Sequence, residues 1–523
     1  MNQVARGAAA RPALLALAAG GLQAVSIAQP WNGQPAWWLQ LLSLSLLAGL
    51  VSRAPRARDA ALLGWLFALA WLAGSWWWLF ISMHVYGGLP APLAVLAVLA
   101  LAGALGLYYA AAAAVAGGGG RGAAFAPVFA GAWLLAELMR GRWFTGFPWA
   151  AGGYAHVDGP LAVLAPWVGV YGIGCVAALA AAWLARSVGW LVQRRGRPLG
   201  LHLGLLAVLA LVLAIVRLLP TGDRPVADPL AAQRLSVALL QGNIPQDEKF
   251  QPGSGVPLAL GWYRAQLRDS PADLVVAPET AIPLLPHELP AGYLDDLAEP
   301  FRTGTQAVLL GLPLGDFRTG YTNSVLGLKP RAEAYRYDKH HLVPFGEFIP
   351  PMFRWFTDLM NIPLGDFARG PLVAPSFEWR GQRLAPHVCY EDLFGEELAA
   401  RFADPTAAPT ILVNLSNIAW FGDSVAIDQH LQISRMRALE LRRPVLRATN
   451  TGATVVIDHE GRVTHALPPA TRAVLVGEVE GREGRTPFAR WAAAWGLAPL
   501  WALGLVALAG AWAWGRRGAR PPR

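Results

Sequence analysis

The chemistry legible in this chain centres on a thiol. The stretch Leu384-Ala-Pro-His-Val-Cys-Tyr-Glu-Asp-Leu-Phe394 carries Cys389 where an apolar, strand-like run meets an acidic sequence that begins a turn. It is one of two cysteines in 523 residues; the other, Cys175, falls in an apolar segment, so no disulfide is expected and Cys389 is read as a free thiol. A thiol becomes a nucleophile as a thiolate, or by losing its proton during attack, and both routes need a base and a nearby positive charge. Two other stretches supply them. Val275-Val-Ala-Pro-Glu-Thr280 carries Glu279, and Tyr335-Arg-Tyr-Asp-Lys-His-His341 carries Lys339, each just after a β-rich run. Alone, a carboxylate after a strand is usually solvated, a lysine usually lies on the surface, and a buried cysteine is usually inert packing. As a set they read as base, oxyanion partner and nucleophile. Glu279 takes the proton, and Lys339 faces the tetrahedral oxyanion with the backbone N–H after Cys389. Glu347, three residues after Pro344, is expected to orient Lys339.

Such a set requires strands whose ends converge on one sheet edge. Strands are expected at Leu235–Leu240, Leu274–Ala277, Ala307–Leu312, Ser324–Leu328, Ala334–Tyr337, His387–Cys389, Thr410–Leu415, Val445–Ala448, Thr454–Ile457 and Ala473–Val479. Helices are expected at Pro257–Arg268, Leu294–Thr303, Gly395–Phe402 and Ile427–Leu441. The excess of strands points to a layered α/β or α+β fold with both crossovers and antiparallel pairs.

That domain occupies only the middle of the chain. The whole is 54% hydrophobic and 15% charged, against about 25% charged in an ordinary soluble domain. With a mean hydropathy of +0.37, this identifies an integral membrane protein. Apolar runs lie near Pro12–Ala28, Trp37–Val51, Ala61–Met83, Pro90–Ala116, Ala124–Met139, Trp167–Ala185, Leu199–Leu219 and Ala489–Trp514, each near the ~20 residues a spanning helix needs. The expected division is residues 1–222 as N-terminal membrane helices, 223–487 as the catalytic domain, and 488–523 as a last helix with a basic tail. The net charge of +9 comes largely from arginines in short connections, which speaks for membrane topology rather than nucleic-acid binding. If each run crosses once, Arg6, Arg53, Arg121, Arg194 and the C-terminal arginines share one side, so both termini are expected in the cytoplasm and the middle domain outside.

Two stretches stand apart. Arg140-Gly-Arg-Trp-Phe-Thr-Gly-Phe-Pro-Trp149 places Arg140 and Arg142 in a connection expected outside. It reads either as a local Glu137–Arg140 pair or as a phospholipid head-group site with Trp149 at the interface. Leu342 to Pro371 is rich in Phe, Met, Trp and Pro, including Met352, Phe353, Trp355, Phe356 and Met360; it reads as irregular core or as an apolar arm that roofs the thiol and excludes water.

The segments Ala277-Pro-Glu-Thr280, Asp338-Lys-His-His-Leu-Val-Pro-Phe-Gly-Glu-Phe348 and Val388-Cys-Tyr-Glu391 resemble the three catalytic segments of the nitrilase superfamily. With Gln241-Gly-Asn-Ile-Pro-Gln246, Thr145-Gly-Phe-Pro-Trp149, Ala419-Trp-Phe-Gly422 and Arg435-Met-Arg-Ala-Leu-Glu440, and with the membrane–catalytic–membrane order, the chain resembles the apolipoprotein N-acyltransferase family. The resemblance implies about eight transmembrane helices plus an αββα sandwich. It implies a ping-pong reaction in which Cys389 takes an acyl chain from a phospholipid, typically phosphatidylethanolamine, and passes it to the amine of a diacylglyceryl-cysteine on a lipoprotein. Glu279, Lys339 and Cys389 are then catalytic, Glu347, Tyr390 and Glu391 support them, Phe250 and Trp420 contact lipid, and the enzyme sits in a bacterial inner membrane with its catalytic domain in the periplasm. Phe250 and Ile418 depart from the family's frequent Trp and Asp. No metal or cofactor is implied. A membrane-tethered amidase, and a transporter or lipid-binding scaffold with an inactive domain, are the competing readings; the scarcity of intramembrane charge speaks against transport.

Overall fold

The computed structural model describes residues 2–119, 122–227, 234–318, 320–349 and 367–518. Side-chain alternation along its strands separates two cores, as the period of two requires. From Leu235–Gln241, the residues Leu235, Val237 and Leu239 enter one apolar cluster while Ala238 and Leu240 enter another. Leu274 and Val276 divide from Val275 and Ala277 in the same way. The first cluster also takes Leu384, Val388, Val413 and Leu446 from a second sheet, so it fills the space between two sheets. The second takes Ala259 and Tyr263 from the helix Gly255–Asp269 and Leu297 and Phe301 from the helix Tyr293–Thr303, so it fills the space between sheet and helices.

The strands are β1 Asp223–Pro225, β2 Leu235–Gln241, β3 Leu274–Ala277, β4 Ala307–Asp316, β5 Gly320–Leu328, β6 Tyr335–Asp338, β7 Phe377–Trp379, β8 Gln382–Val388, β9 Ile411–Ser416, β10 Val445–Thr449, β11 Val455–Ile457, β12 Val463–Ala466, β13 Ala473–Val479 and β14 Arg482–Gly484. One sheet runs β13-β2-β3-β4-β5-β6, parallel at β2–β3–β4 and antiparallel elsewhere; the other runs β12-β11-β10-β9-β8-β7, parallel at β8–β9–β10. The helix Ala426–Leu441 packs against β10 on the second sheet, completing a helix–sheet–sheet–helix sandwich. The strands not anticipated, β1, β7, β12 and β14, are three or four residues long. Pairing with a partner rather than local pattern creates them. One boundary is corrected: β8 ends at Val388, and Cys389 opens a 3-10 turn, Cys389–Leu393, instead of closing the strand.

The chain divides into two compact units. One comprises Met1–Trp77, Pro92–Pro220 and Trp495–Arg523; the other comprises Trp78–Ala91 and Thr221–Ala494. The first is helical: among the described residues, five spans are long and apolar enough to cross a bilayer, or six if the bent pair Pro487–Trp495 and Ala498–Gly510 counts as one. Trp37–Val51 is shorter, at 15 residues, and Phe125–Arg142 carries Glu137, Arg140 and Arg142 within 18. Leu96, Leu107, Leu201 and Leu211 are exposed on these helices, the surface that lipid covers.

Trp78–Ala91 belongs to the sandwich unit, although its apolar residues read locally as the continuation of a membrane span. The helix Ala57–Trp76 stops, and Ile81–Tyr86 forms a π-helical turn. Trp78 is buried; its indole donates to Gln429 Oε1 at 3.1 Å and its ring lies 4.2 Å from Phe421.

Candidate active site

Glu279 follows β3. Pro278 has no N–H to extend the ladder, and Thr280 takes φ +46°, so the chain turns sharply at the sheet edge. Both carboxylate oxygens are held. Oε1 accepts from the Asn323 amide at 2.7 Å and from Lys339 Nζ at 3.4 Å; Oε2 accepts from the Asn417 backbone N–H at 2.7 Å.

Lys339 follows β6, and its N–H donates to the Asn323 carbonyl at 2.9 Å. Its ammonium is fully buried, 2.9 Å from Glu347 Oε1. Burial by itself favours the neutral amine; the charges of Glu347 and Glu279 outweigh it and hold the pKa above the ordinary lysine value. Lys339 is therefore a standing cation and not the base. Glu347 also accepts from Asn323 Nδ2 at 2.7 Å and from its own loop at Val343 N, 2.8 Å. The carboxylate expected to orient Lys339 thus makes that contact directly.

Cys389 has φ +50°, a left-handed conformation in a residue with a β-carbon. Such strain persists only where the surroundings over-determine it. On one side they do so through Glu391. Its carboxylate accepts the Val388 N–H at 2.6 Å, the Tyr337 hydroxyl at 2.8 Å, and the His340 and His341 N–H groups at 2.7 and 3.2 Å. One side chain therefore ties the turn that carries the thiol to the residues directly after Lys339. The Cys389 thiol is pushed up to about 12, first by burial and then by the Glu279 charge, with Lys339 and the Ser416 hydroxyl pulling the other way. At neutral pH the resting thiol holds its proton, so an attack by Cys389 needs a base to take it.

Two participants escaped the sequence reading. Asn323, on β5, donates one amide nitrogen to both Glu279 and Glu347 and receives the Lys339 N–H. Lys249 is buried, with Nζ 2.8 Å from Thr280 Oγ1 and 3.2 Å from the Glu279 carbonyl, so it clamps the strained turn at Glu279. Burial pushes its pKa down to about 7, and the charges of Glu279 and Cys389 only partly offset this. The signal available for Lys249 was a lone lysine closing the polar stretch after Gln241.

The remaining expected residues divide between the units. Tyr390 is buried, with its ring 5.4 Å from Phe394 and 5.7 Å from His341. Phe250 is half-buried beside Lys249 at 5.9 Å, and Trp420 is half-buried with its ring 5.9 Å from Tyr86. Ile418 is fully buried and packs toward Gly452, so it acts as core at this position. In the helical unit, Arg140 presents no fork at the surface. It is buried, donates to the Tyr109 hydroxyl at 2.8 Å and to the Phe147 and Trp149 carbonyls at 2.6 and 2.8 Å, and lies 3.8 Å from Glu137. Trp149 is buried too, whereas Arg142 is exposed. Of the aromatic stretch between Leu342 and Pro371, Met352, Phe353, Trp355, Phe356 and Met360 lie outside the described residues. Its described ends are anchored: Phe367 N donates to the Glu347 carbonyl at 2.9 Å, and Arg369 lies over the Phe348 ring at 5.0 Å.

Two facing sheets with a glutamate, a lysine and a cysteine at strand ends define a thiol enzyme of the carbon–nitrogen hydrolase class, and the family model described as "Carbon-nitrogen hydrolase" matches residues 236–487. A second model, "Apolipoprotein N-acyltransferase N-terminal domain", matches residues 19–183. The chain is 58% identical to the apolipoprotein N-acyltransferase of Verminephrobacter eiseniae over 92% of each chain, and 48% identical to that of Ralstonia nicotianae over 92% of this chain and 90% of the relative. Among solved structures, a CN-hydrolase superfamily protein from Xanthomonas campestris aligns at a TM-score of 0.36 and 21% identity, covering 52% of this chain and 96% of its own. The chain belongs to the apolipoprotein N-acyltransferase family.

Proposed function

We propose that this enzyme moves an acyl chain from a phospholipid, with phosphatidylethanolamine as the donor, through a thioester on Cys389 to the α-amine of a diacylglyceryl-cysteine at a lipoprotein N-terminus. In the first half-reaction Cys389 Sγ attacks the ester carbonyl while Glu279 accepts the thiol proton. Lys339 and the Tyr390 N–H stabilise the oxyanion; the carbon–oxygen bond then breaks, and the lysophospholipid hydroxyl takes the proton back from Glu279. In the second, the amine attacks the thioester, Glu279 receives an amine proton, the carbon–sulfur bond breaks, and the proton returns to the thiolate. Aminolysis outruns hydrolysis where water is excluded and the amine is held close. The single observation that carries this reading is the shared hydrogen-bonded frame around Glu279, Lys339 and Glu347, coupled to a thiol residue at φ +50°. We place the protein in the bacterial inner membrane with the sandwich unit on the periplasmic side and both termini in the cytoplasm, on the arginine asymmetry of the connections. Phe250 and Trp420 are assigned to acyl-chain contact, and Arg142, as the exposed member of its pair, to the head-group region.

Incubating the full-length protein with phosphatidylethanolamine labelled in one acyl chain tests the reading. The expected result is a hydroxylamine-labile label on Cys389 that chases onto a diacylglyceryl peptide. Cys389→Ala abolishes it and Cys175→Ala does not. No label, with small amides hydrolysed instead, would establish the amidase reading. Comparing head groups in the same assay tests the donor, and accessibility of single introduced cysteines to an impermeant reagent tests the sidedness.

A further inference from the structure

Beneath the Cys389 turn lies a polar cluster that the chemistry above does not use. His387, Asp392, His430, Ser434 and Arg447 are fully buried. They come from β8, the turn after Cys389, the helix Ala426–Leu441 and β10. Asp392 accepts from His387 Nε2 at 2.6 Å and from the Ser434 hydroxyl, and lies 3.4 Å from Arg447 Nη1. Arg447 Nη1 donates to Ser434 at 2.7 Å, and its Nη2 stands 2.9 Å from His430 Nδ1.

These contacts assign a proton. A guanidinium has only donors, so His430 Nδ1 must accept from Arg447, and the ring hydrogen must reside on Nε2. Nε2 lies 3.3 Å from the Cys389 carbonyl oxygen, which the Asn414 amide also approaches at 3.5 Å. Burial and the Arg447 charge both keep the imidazole neutral, so this tautomer is the resting one. In a trans peptide the C=O and the following N–H point in opposite directions. Drawing the Cys389 carbonyl down into the cluster therefore turns the Tyr390 N–H away from it. A buried ion pair is a poor source of stability in itself; here the Asp392–Arg447 pair sets the direction of one hydrogen bond under the nucleophile.

We propose that His430, oriented by Arg447 and Asp392, is a positioning residue for acyl transfer: its Nε2–H holds the Cys389 carbonyl, which keeps the nucleophile's peptide left-handed and directs the Tyr390 N–H to the oxyanion. Glu391 fixes the His387–Val388 peptide ahead of the thiol, and His430 fixes the Cys389–Tyr390 peptide after it.

The inference rests on Cys389 being the acylated residue, and the test separates the two. Full-length protein is mixed with labelled phosphatidylethanolamine in detergent micelles, and the rate of thioester formation is measured alongside the melting temperature and alkylation of Cys389 by iodoacetamide, which forms no oxyanion. His430→Leu is expected to lower the acylation rate constant on the order of 10²-fold, as a small misplacement of a reacting group does, with KM for the phospholipid unchanged and alkylation largely retained. His430→Gln, whose amide nitrogen takes the place of Nε2 while its oxygen accepts from Arg447, restores the rate to within about tenfold of the parent; His430→Asn, too short to reach the carbonyl, does not. The Gln and Asn variants decide the matter where the Leu variant does not fold. Equal acylation by the parent and His430→Leu, or equal rates for Gln and Asn, would overturn the proposal alone. A parent protein that takes no label would overturn it together with the function on which it rests.

Discussion

Replacing Glu347 by Gln tests the electrostatic frame of the site with little change in shape. Lys339 Nζ has two carboxylate partners, Glu347 at 2.9 Å and Glu279 at 3.4 Å, and no solvent exposure. The amide keeps a hydrogen bond to the charged ammonium but loses the carboxylate's charge, and over the range of about 1.5–3 kcal/mol for hydrogen bonds to charged groups that forfeits about 1–2 kcal/mol of the anchoring of Lys339. At about 1.4 kcal/mol per tenfold in rate, that alone slows acylation roughly five- to thirtyfold. The single-turnover rate of thioester formation should fall by that factor. The pH profile gives an independent sign. Burial, which favours the neutral amine, is the largest influence on Lys339, and Glu347 is the largest of the charges opposing it. In the parent, Lys339 stays charged through the alkaline range, and the stability tied to its charge is lost only as pH rises through its raised pKa. In Glu347→Gln the Lys339 pKa falls, so the alkaline limb of activity should move to lower pH. A variant that acylates at the parent rate with an unchanged alkaline limb would refute the claim that Glu347 holds Lys339 for the oxyanion.

Lys249 yields a stability prediction of opposite sense. Its pKa falls from an unfolded 10.5 to about 7 on folding, so between those values the unfolded chain binds more protons and stability rises with pH. Lys249→Met should therefore gain most over the parent below about pH 7 and least near pH 10, in denaturant titrations across that range; a difference that does not shrink as pH rises would mean the ammonium stays charged. Trp78→Ala removes a buried indole and leaves Gln429 without that donor, an expected cost of about 3–5 kcal/mol. At roughly 2–4 °C per kcal/mol for a domain of this size, the sandwich unit should melt about 6–20 °C lower, while an unchanged transition would show that Trp78–Ala91 does not dock there.

Glu279, Lys339 and Cys389 could be singled out because each follows a β-rich run, and strand ends converge wherever a sheet forms. Glu347 was legible because it lies eight residues from its lysine, within one loop. Asn323 was not: it meets Glu279 across 44 residues through the antiparallel register of β4, β5 and β6, and nothing local distinguishes it from any polar residue in a strand. Arg140 was ambiguous for the complementary reason. Its neighbours in sequence suit a surface fork equally well, and only the helical packing around Tyr109 and Glu137 shows it turned inward.

From the order of residues alone came the membrane character, the layered catalytic fold and the choice of Glu279, Lys339 and Cys389 as the residues to bring together, because hydrophobic periodicity and the reactivity of side chains are local properties. The folded chain alone decided that Trp78–Ala91 leaves the membrane helices for the sandwich, that Lys249 clamps the turn at Glu279, and that His430 reaches the Cys389 carbonyl. Those outcomes join groups up to 351 residues apart, and a contact at that separation is set by how sheets and helices stack rather than by any pattern along the chain.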